Sequence, residues 1–162
     1  MKILILGNAN AGKTTARKLL EAFSGLSGIS SSEFAFDKVV WPAFQEMVNP
    51  PYEHRNQCLA DKDNRRPEWR EFICEYNRPD PSRLCTELLA EFDIYDGMRS
   101  REEFLNTIDQ FDHILWVERD VPRDSSLDIY LDTFLMTPII NSGSILYLAV
   151  QIHDWWVANA PS

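Results

Sequence analysis

The chain lacks paired cysteines, a histidine cluster, a long apolar run and an excess of positive charge, and each shortage removes a class of function. Cys58, Cys74 and Cys85 are odd in number and form no C-x-x-C pair, so neither a disulfide framework nor a zinc site is indicated and a reducing compartment is expected. His54, His113 and His153 are scattered, which leaves no histidine-based catalytic constellation and makes all three structural. No apolar run approaches membrane-spanning length, and Met1 and Lys2 lead straight into a strand pattern that leaves no room for a signal peptide. With 25 Asp+Glu against 16 Lys+Arg, the net charge of −9 argues against a surface for polymeric nucleic acid or anionic lipid. No internal repeat or low-complexity segment appears. A cytoplasmic protein with no membrane or nucleic-acid partner is expected.

What the chain does have lies at its start. Ile3, Leu4, Ile5 and Leu6 form a short apolar run of the kind that makes a buried parallel strand. Gly7, Asn8, Ala9, Asn10, Ala11, Gly12, Lys13, Thr14 and Thr15 follow it and fit G-x-x-x-x-G-K-[ST] at every fixed position. In that pattern backbone N–H groups cradle a phosphate chain, and Gly12 removes the Cβ that would block close approach. Lys13 would bridge the β- and γ-phosphates of a bound triphosphate, and the Thr14 hydroxyl would hold Mg²⁺. Ala16, Leu19, Leu20 and Phe23 then recur at helical spacing, so the loop opens a helix whose N-terminal dipole faces the anion.

With 162 residues and 44% hydrophobic content, the chain is expected to form one α/β domain, residues 1–162, with a sizeable core. Lys62, Arg65, Arg66, Arg70, Arg78, Arg83, Arg99, Arg101, Arg119 and Arg123 crowd its middle. An anion site inside an acidic protein suits a small phosphorylated substrate better than a polymer, although solvated helix faces account for about half of these residues.

Residues 25–32 look like a flexible connection and residues 33–36 like a short second strand. Asp37 and Lys38 then fall at a strand's carboxyl end, where ligands bind in open α/β sheets; a helix cap before residues 38–41 is the alternative for Asp37. Pro67 suits a first helical turn, with Phe72, Ile73 and Tyr76 facing the core, which sets Arg66 and Arg70 near a helix start. Asp80 and Pro81 read as the cap and first residue of a helix carrying Leu84, Leu88, Leu89 and Phe92. Residues 92–95 read as a strand whose end presents Asp96 and Arg99.

Ser100 and Glu103 predict a capping box ahead of Phe104, Leu105, Ile108 and Phe111. Residues 113–117 are unbroken apolar and predict a central strand. The charged segment 118–126 predicts a mobile flap with little apolar surface to fix it down. Residues 134–140 read as a last strand that Pro138 confines to an edge or shortens. The turn 141–144 opens a final helix with Ile145, Leu148, Ala149, Ile152 and Trp156 on one face.

This order of parts resembles nucleoside monophosphate kinases, and more narrowly the deoxynucleoside monophosphate kinases carried by bacteriophages. The likeness rests on the phosphate loop, the arginine-rich insertion, the Asp-Gly-Met-Arg-Ser turn at residues 96–100, the two-arginine flap and the Ile-Ile-Asn-Ser-Gly-Ser turn at residues 139–144, and it spans nearly the whole chain. It implies a three-layer P-loop NTPase fold of five parallel strands with helices on both faces. It also implies a substrate-covering insertion over about 38–80 and a short lid over about 119–130.

By that resemblance residues 7–15 would hold the ATP phosphates, and Arg99 would grip the acceptor phosphate with Arg66 and Arg70 as helpers. Arg119 and Arg123 would neutralise the phosphoryl group in flight, while Asn141 and Gly143 would lie beside the adenine. Asp96 is the first candidate for the Mg²⁺ shell, with Asp93 and Asp37 as substitutes. Trp69, Tyr76 and Trp41 are candidates to stack on the acceptor base. The expected reaction converts a deoxynucleoside monophosphate to the diphosphate, in the host cytoplasm if the protein is viral, with a homodimer left open. Two other readings stay open: a sugar- or shikimate-type kinase using Asp37 against a substrate hydroxyl, and a nucleotide-binding switch.

Overall fold

The computed structural model describes residues 1–161; Ser162, the last residue of the expected domain, lies outside them. Five strands, β1 (Ile3–Leu6), β2 (Gly28–Ser30), β3 (Ile94–Asp96), β4 (His113–Glu118) and β5 (Thr137–Ile140), form a sheet in the order β2-β3-β1-β4-β5. All four pairings are parallel. β1 is central and wholly buried, as its four aliphatic residues require, and its neighbours β3 and β4 leave on opposite sides. The chain therefore reverses direction across the sheet beside β1, and the carboxyl ends of β1, β3 and β4 border one crevice.

Helices cover both faces, giving the three-layer α/β architecture of P-loop proteins. On one face α1 (Lys13–Ser24) packs against α8 (Ile145–Asn159), burying Ala16, Leu20, Leu148, Ile152 and Trp155 on Ile3, Ile5, Leu115 and Val117. On the other face α6 (Arg83–Glu91) and α7 (Arg101–Thr107) bury Leu84, Cys85, Leu88 and Phe104 against Leu4, Leu6, Tyr95 and Trp116. Between β2 and α6 lie α2 (Ser31–Ala35), a π-helical turn (Phe36–Val40), α3 (Trp41–Gln45), α4 (Arg55–Ala60) and α5 (Arg66–Asn77). These carry a core of their own in which Phe36, Val40, Phe44, Tyr52, Cys58 and Trp69 pack together.

Several expectations are corrected. Residues 33–36 are helical: the Ser30 hydroxyl accepts from the Glu33 amide at 3.2 Å while the Glu33 carboxylate accepts from the Ser30 amide at 3.2 Å, a capping box that starts α2. The second strand is instead Gly28–Ser30, within the expected connection. α6 begins at Arg83, because the Asp80 carboxylate is engaged by the Ser82 amide and hydroxyl in a turn. Ser100 caps α7, but Glu103 does not complete a box; its carboxylate accepts from the buried Tyr95 hydroxyl at 2.8 Å. On α7 and α8, Leu105 and Ile145 are exposed and do not join the buried stripes.

β5 is an edge strand of four residues, shorter than residues 134–140, with Pro138 in it. Gln151 of α8 covers its end, accepting from the Ile140 amide at 3.0 Å and donating to the Ile140 carbonyl. The segment after β4 is also better held than its composition implies. Leu127 and Ile129 are buried in the core, and the Asp128 amide donates to the Arg99 carbonyl at 3.0 Å. Among the described residues no helix is long and apolar enough to cross a membrane.

Candidate phosphoryl-transfer site

Gly7 leaves the buried end of β1 with φ 145°, and a Cβ there would stand 2.5 Å from the Val117 carbonyl oxygen. Gly12 precedes α1 with φ 101°, and a Cβ there would stand 2.4 Å from the Asn141 side-chain nitrogen. Both places demand glycine, so the loop can lie flat between β4 and the turn after β5. Lys13 opens α1 and folds back over the loop, donating to the carbonyls of Gly7 at 2.9 Å and Asn8 at 2.8 Å. Burial and then the nearby Arg99 lower its pKa from the ordinary lysine value, against the opposing pull of Asp96 and Asp124. Thr14 and Thr15 are exposed at the start of the helix.

Asp96 ends β3 with its side chain buried, and its Oδ2 accepts from Arg17 Nε at 2.7 Å. Burial pushes its carboxyl up from the ordinary aspartate value, against the pull of Arg17 and Lys13. Arg17 also donates to Glu21 and to the Gly28 carbonyl, both at 2.9 Å, so one guanidinium fixes Asp96, α1 and β2 together. Asp93, one of the two substitutes, pairs instead with Lys2 at 3.1 Å and accepts from Ser27.

Arg99 follows β3 and donates to Asp124 and, at 2.6 Å, to the Ser126 hydroxyl. Arg119, just beyond β4, donates to the Asn10 carbonyl at 3.4 Å. Arg123 is engaged within its own segment, donating to the Leu127 carbonyl at 3.1 Å with its guanidinium 3.9 Å from the Tyr130 ring centre. The Asp124 amide donates to Asn8 Oδ1 at 3.2 Å, so segment 119–130 touches the loop at Asn8 and Asn10 and the β3 turn at Arg99. Asn141 donates its side-chain amide to the Ala11 carbonyl at 2.8 Å and accepts from the Gly143 amide at 3.1 Å. Beside it Glu118, Arg119, Asp120, Ile140 and Ser142 complete the lining of a cavity of about 740 Å³.

The structure thus brings together residues 7–15, Asp96, Arg99, Arg119, Asn141 and Gly143. It does not gather the rest. Asp37 lies in the π-helical turn, exposed and paired with Arg55, because no strand precedes it. Lys38 pairs with Glu87 and Glu91, and the Tyr76 hydroxyl donates to Glu87 at 2.6 Å, so both are committed to α6. Arg66 pairs with Asp63 on the exposed helix face, and Arg70 is exposed. Trp69 is 5% exposed and stacked on Phe36 at 5.2 Å in the insertion's core, a wall residue with no face to offer a base. Trp41 packs against that same core.

Arg17 and Asp124, which no motif marks, also belong here, and Lys62 of the central basic cluster lies toward them. Lys62 lies over the Trp69 ring at 5.3 Å, and burial, with Arg66 next and Arg99 further behind, lowers its pKa. Asp124 is a carboxylate that both Lys13 and Arg99 feel, and its mark in the sequence is an acid beside Arg123 in the charged segment after β4.

The chain matches no family model and no curated protein sequence. Among solved structures it is similar to a sugar kinase from Janibacter sp. HTCC2649, with 14% identity and a TM-score of 0.49 over 99% of this chain and 95% of that one.

Proposed function

We propose that this protein transfers the γ-phosphate of ATP to a deoxynucleoside 5′-monophosphate, giving the diphosphate. The observation that supports the reading is that Arg99, in the turn after β3, is tied through Asp124 to Asn8 of the loop over which Lys13 folds: one cation sits on a loop of phosphate-cradling pattern, and the other reaches that loop from the turn of the adjacent strand. An acceptor phosphate held by Arg99 would face a donor γ-phosphate held by Lys13. Its oxygen would form the new bond to phosphorus as the β–γ bridging oxygen leaves with ADP. The acceptor is a dianion and needs no base to activate it, which agrees with a site built from cations.

Each residue then has a defined task. Lys13 would exchange its two carbonyl contacts for phosphate oxygens, following charge as it moves from the γ-phosphate to the bridging oxygen. Arg119, already at the loop, would approach the phosphoryl group from above, and Arg123 would leave Tyr130 to join it. The exposed Thr14 hydroxyl, and the Asp96 oxygen that Arg17 does not hold, are the hard oxygen donors that would take Mg²⁺. Such an ion would neutralise charge on the phosphate oxygens of the donor.

The test is ADP release from Mg-ATP with each dNMP, each NMP, shikimate, gluconate and no acceptor. Turnover confined to dNMPs and reduced at least about a hundredfold in Lys13→Ala is the expected result. Turnover with a sugar or shikimate alone would transfer the protein to the small-molecule kinases, and acceptor-independent hydrolysis would make it a switch.

A further inference from the structure

Asp124 stands where an anionic ligand of Arg99 would stand. Its side chain is 11% exposed against 45% for Arg99, so the carboxylate is turned inward to meet the guanidinium. Oδ2 accepts from Arg99 Nη1, while Oδ1 accepts from the Ser126 amide at 3.0 Å and the Ser126 hydroxyl at 2.6 Å. That hydroxyl also accepts from Arg99, closing a small ring of three side chains. The Asp124 amide is held in turn by Asn8 of the phosphate loop. One residue therefore links the donor loop to the arginine on the acceptor side. Against burial, which raises it, Ser126 and Arg99 hold the Asp124 carboxyl down at about 2, so it is charged at neutral pH.

A guanidinium presents the same donors to a carboxylate and to a phosphate. We infer that Asp124 is an internal surrogate for the acceptor's phosphate: it occupies Arg99 until a phosphate displaces it, and so restricts the site to acceptors that carry one. The inference rests on the kinase reading for the identity of the acceptor. A neutral hydroxyl cannot replace a charge-assisted pair at Arg99, so an acceptor lacking phosphate either leaves Asp124 in place or strands the arginine. A phosphate dianion restores the charge pairing, and Asp124 keeps its Ser126 contacts when it turns away. Asp124 acts through Arg99 and is a positioning residue.

Calorimetric titration of the intact protein with inorganic phosphate, without ATP, tests this. Asp124→Asn is expected to bind phosphate roughly fivefold more tightly than the unaltered protein, and Asp124→Glu, which restores the charge, to return toward it. Equal or weaker binding by Asp124→Asn, or no binding by either protein, overturns the inference. Amide exchange on the unaltered protein gives an answer even if the variant does not fold. Saturating phosphate should speed exchange at the Asp124 amide, which Asn8 holds, and unchanged or slower exchange there also overturns it. The probe is independent of turnover: a protein that phosphorylates no dNMP but passes these tests loses the kinase reading alone, and one that turns over normally but fails them loses only the surrogate.

Discussion

Asn141 shows how much one side chain decides at this site. It lies beside the cavity between β4 and β5, and both its polar side-chain atoms are spent on the protein: one on the Ala11 carbonyl, one on the Gly143 amide. Its own amide donates to the Glu118 carbonyl at 2.8 Å, so Asn141 fastens the end of β5 to the end of β4 and to the phosphate loop. Its work is to hold the loop. Asn141→Ala would leave the buried Ala11 carbonyl unpaired, at about 1–3 kcal/mol. We expect roughly a tenfold rise in KM for ATP with a smaller change in kcat, measured by steady-state kinetics. An unchanged KM would show that the loop keeps its shape without the clamp. The phosphate loop was legible residue by residue because its pattern encodes a backbone shape. The function of Asn141 was not, because it depends on two elements 130 positions apart meeting.

At the scale of elements, the buried strands were legible and the half-buried ones were not. β1 and β4 are continuous apolar runs, whereas β2 is three residues of intermediate burial with nothing to distinguish it from a loop. The alternation of Phe34 and Phe36 imitated a strand, while the pattern Ser30-x-x-Glu33 stated the helix start outright. Asp37 and Lys38 depend on that strand: without it they stand on a π-helical turn and not at the carboxyl edge of the sheet. If Ser30 sets the start of α2, Ser30→Ala should cost about 1 kcal/mol, lowering Tm by roughly 3 °C, whereas Ser32→Ala should change it little. Thermal unfolding followed by circular dichroism separates the two. The segment after β4 hides its anchorage for a related reason: four of its first eight residues are charged, but Leu127 and Ile129 just beyond them plug into the core. Any opening of this segment therefore pivots between an anchored base and the contacts of Asp124.

For the whole molecule, charge and pH matter most. Arg65, Arg66, Arg78 and Arg83 are paired with acids three or four residues away on helices or in the turns that flank them, so much of the basic cluster in the middle of the chain is surface neutralisation. The two charged groups that move furthest do so in opposite directions. Burial pushes Glu103 up to about 7, above its unfolded value, so the folded protein binds the extra proton; this group's contribution is complete below about pH 4.5 and is lost as pH rises through 7. Asp124, held at about 2, contributes above its unfolded value of 3.8 and loses that contribution as pH falls toward 2. Between pH 5 and 8 the Glu103 slope remains, so Tm should fall with rising pH and Glu103→Gln should flatten the fall; parallel profiles for the two proteins would contradict it. The Gln151 contacts at the end of β5 bear on how whole molecules meet. A parallel sheet with an open side is a template on which a second chain can lay a strand, and then a third. By answering both backbone groups of Ile140 with an amide that imitates a peptide unit, Gln151 gives that side a false neighbour, and growth of one molecule's sheet into another's is stopped where it would begin.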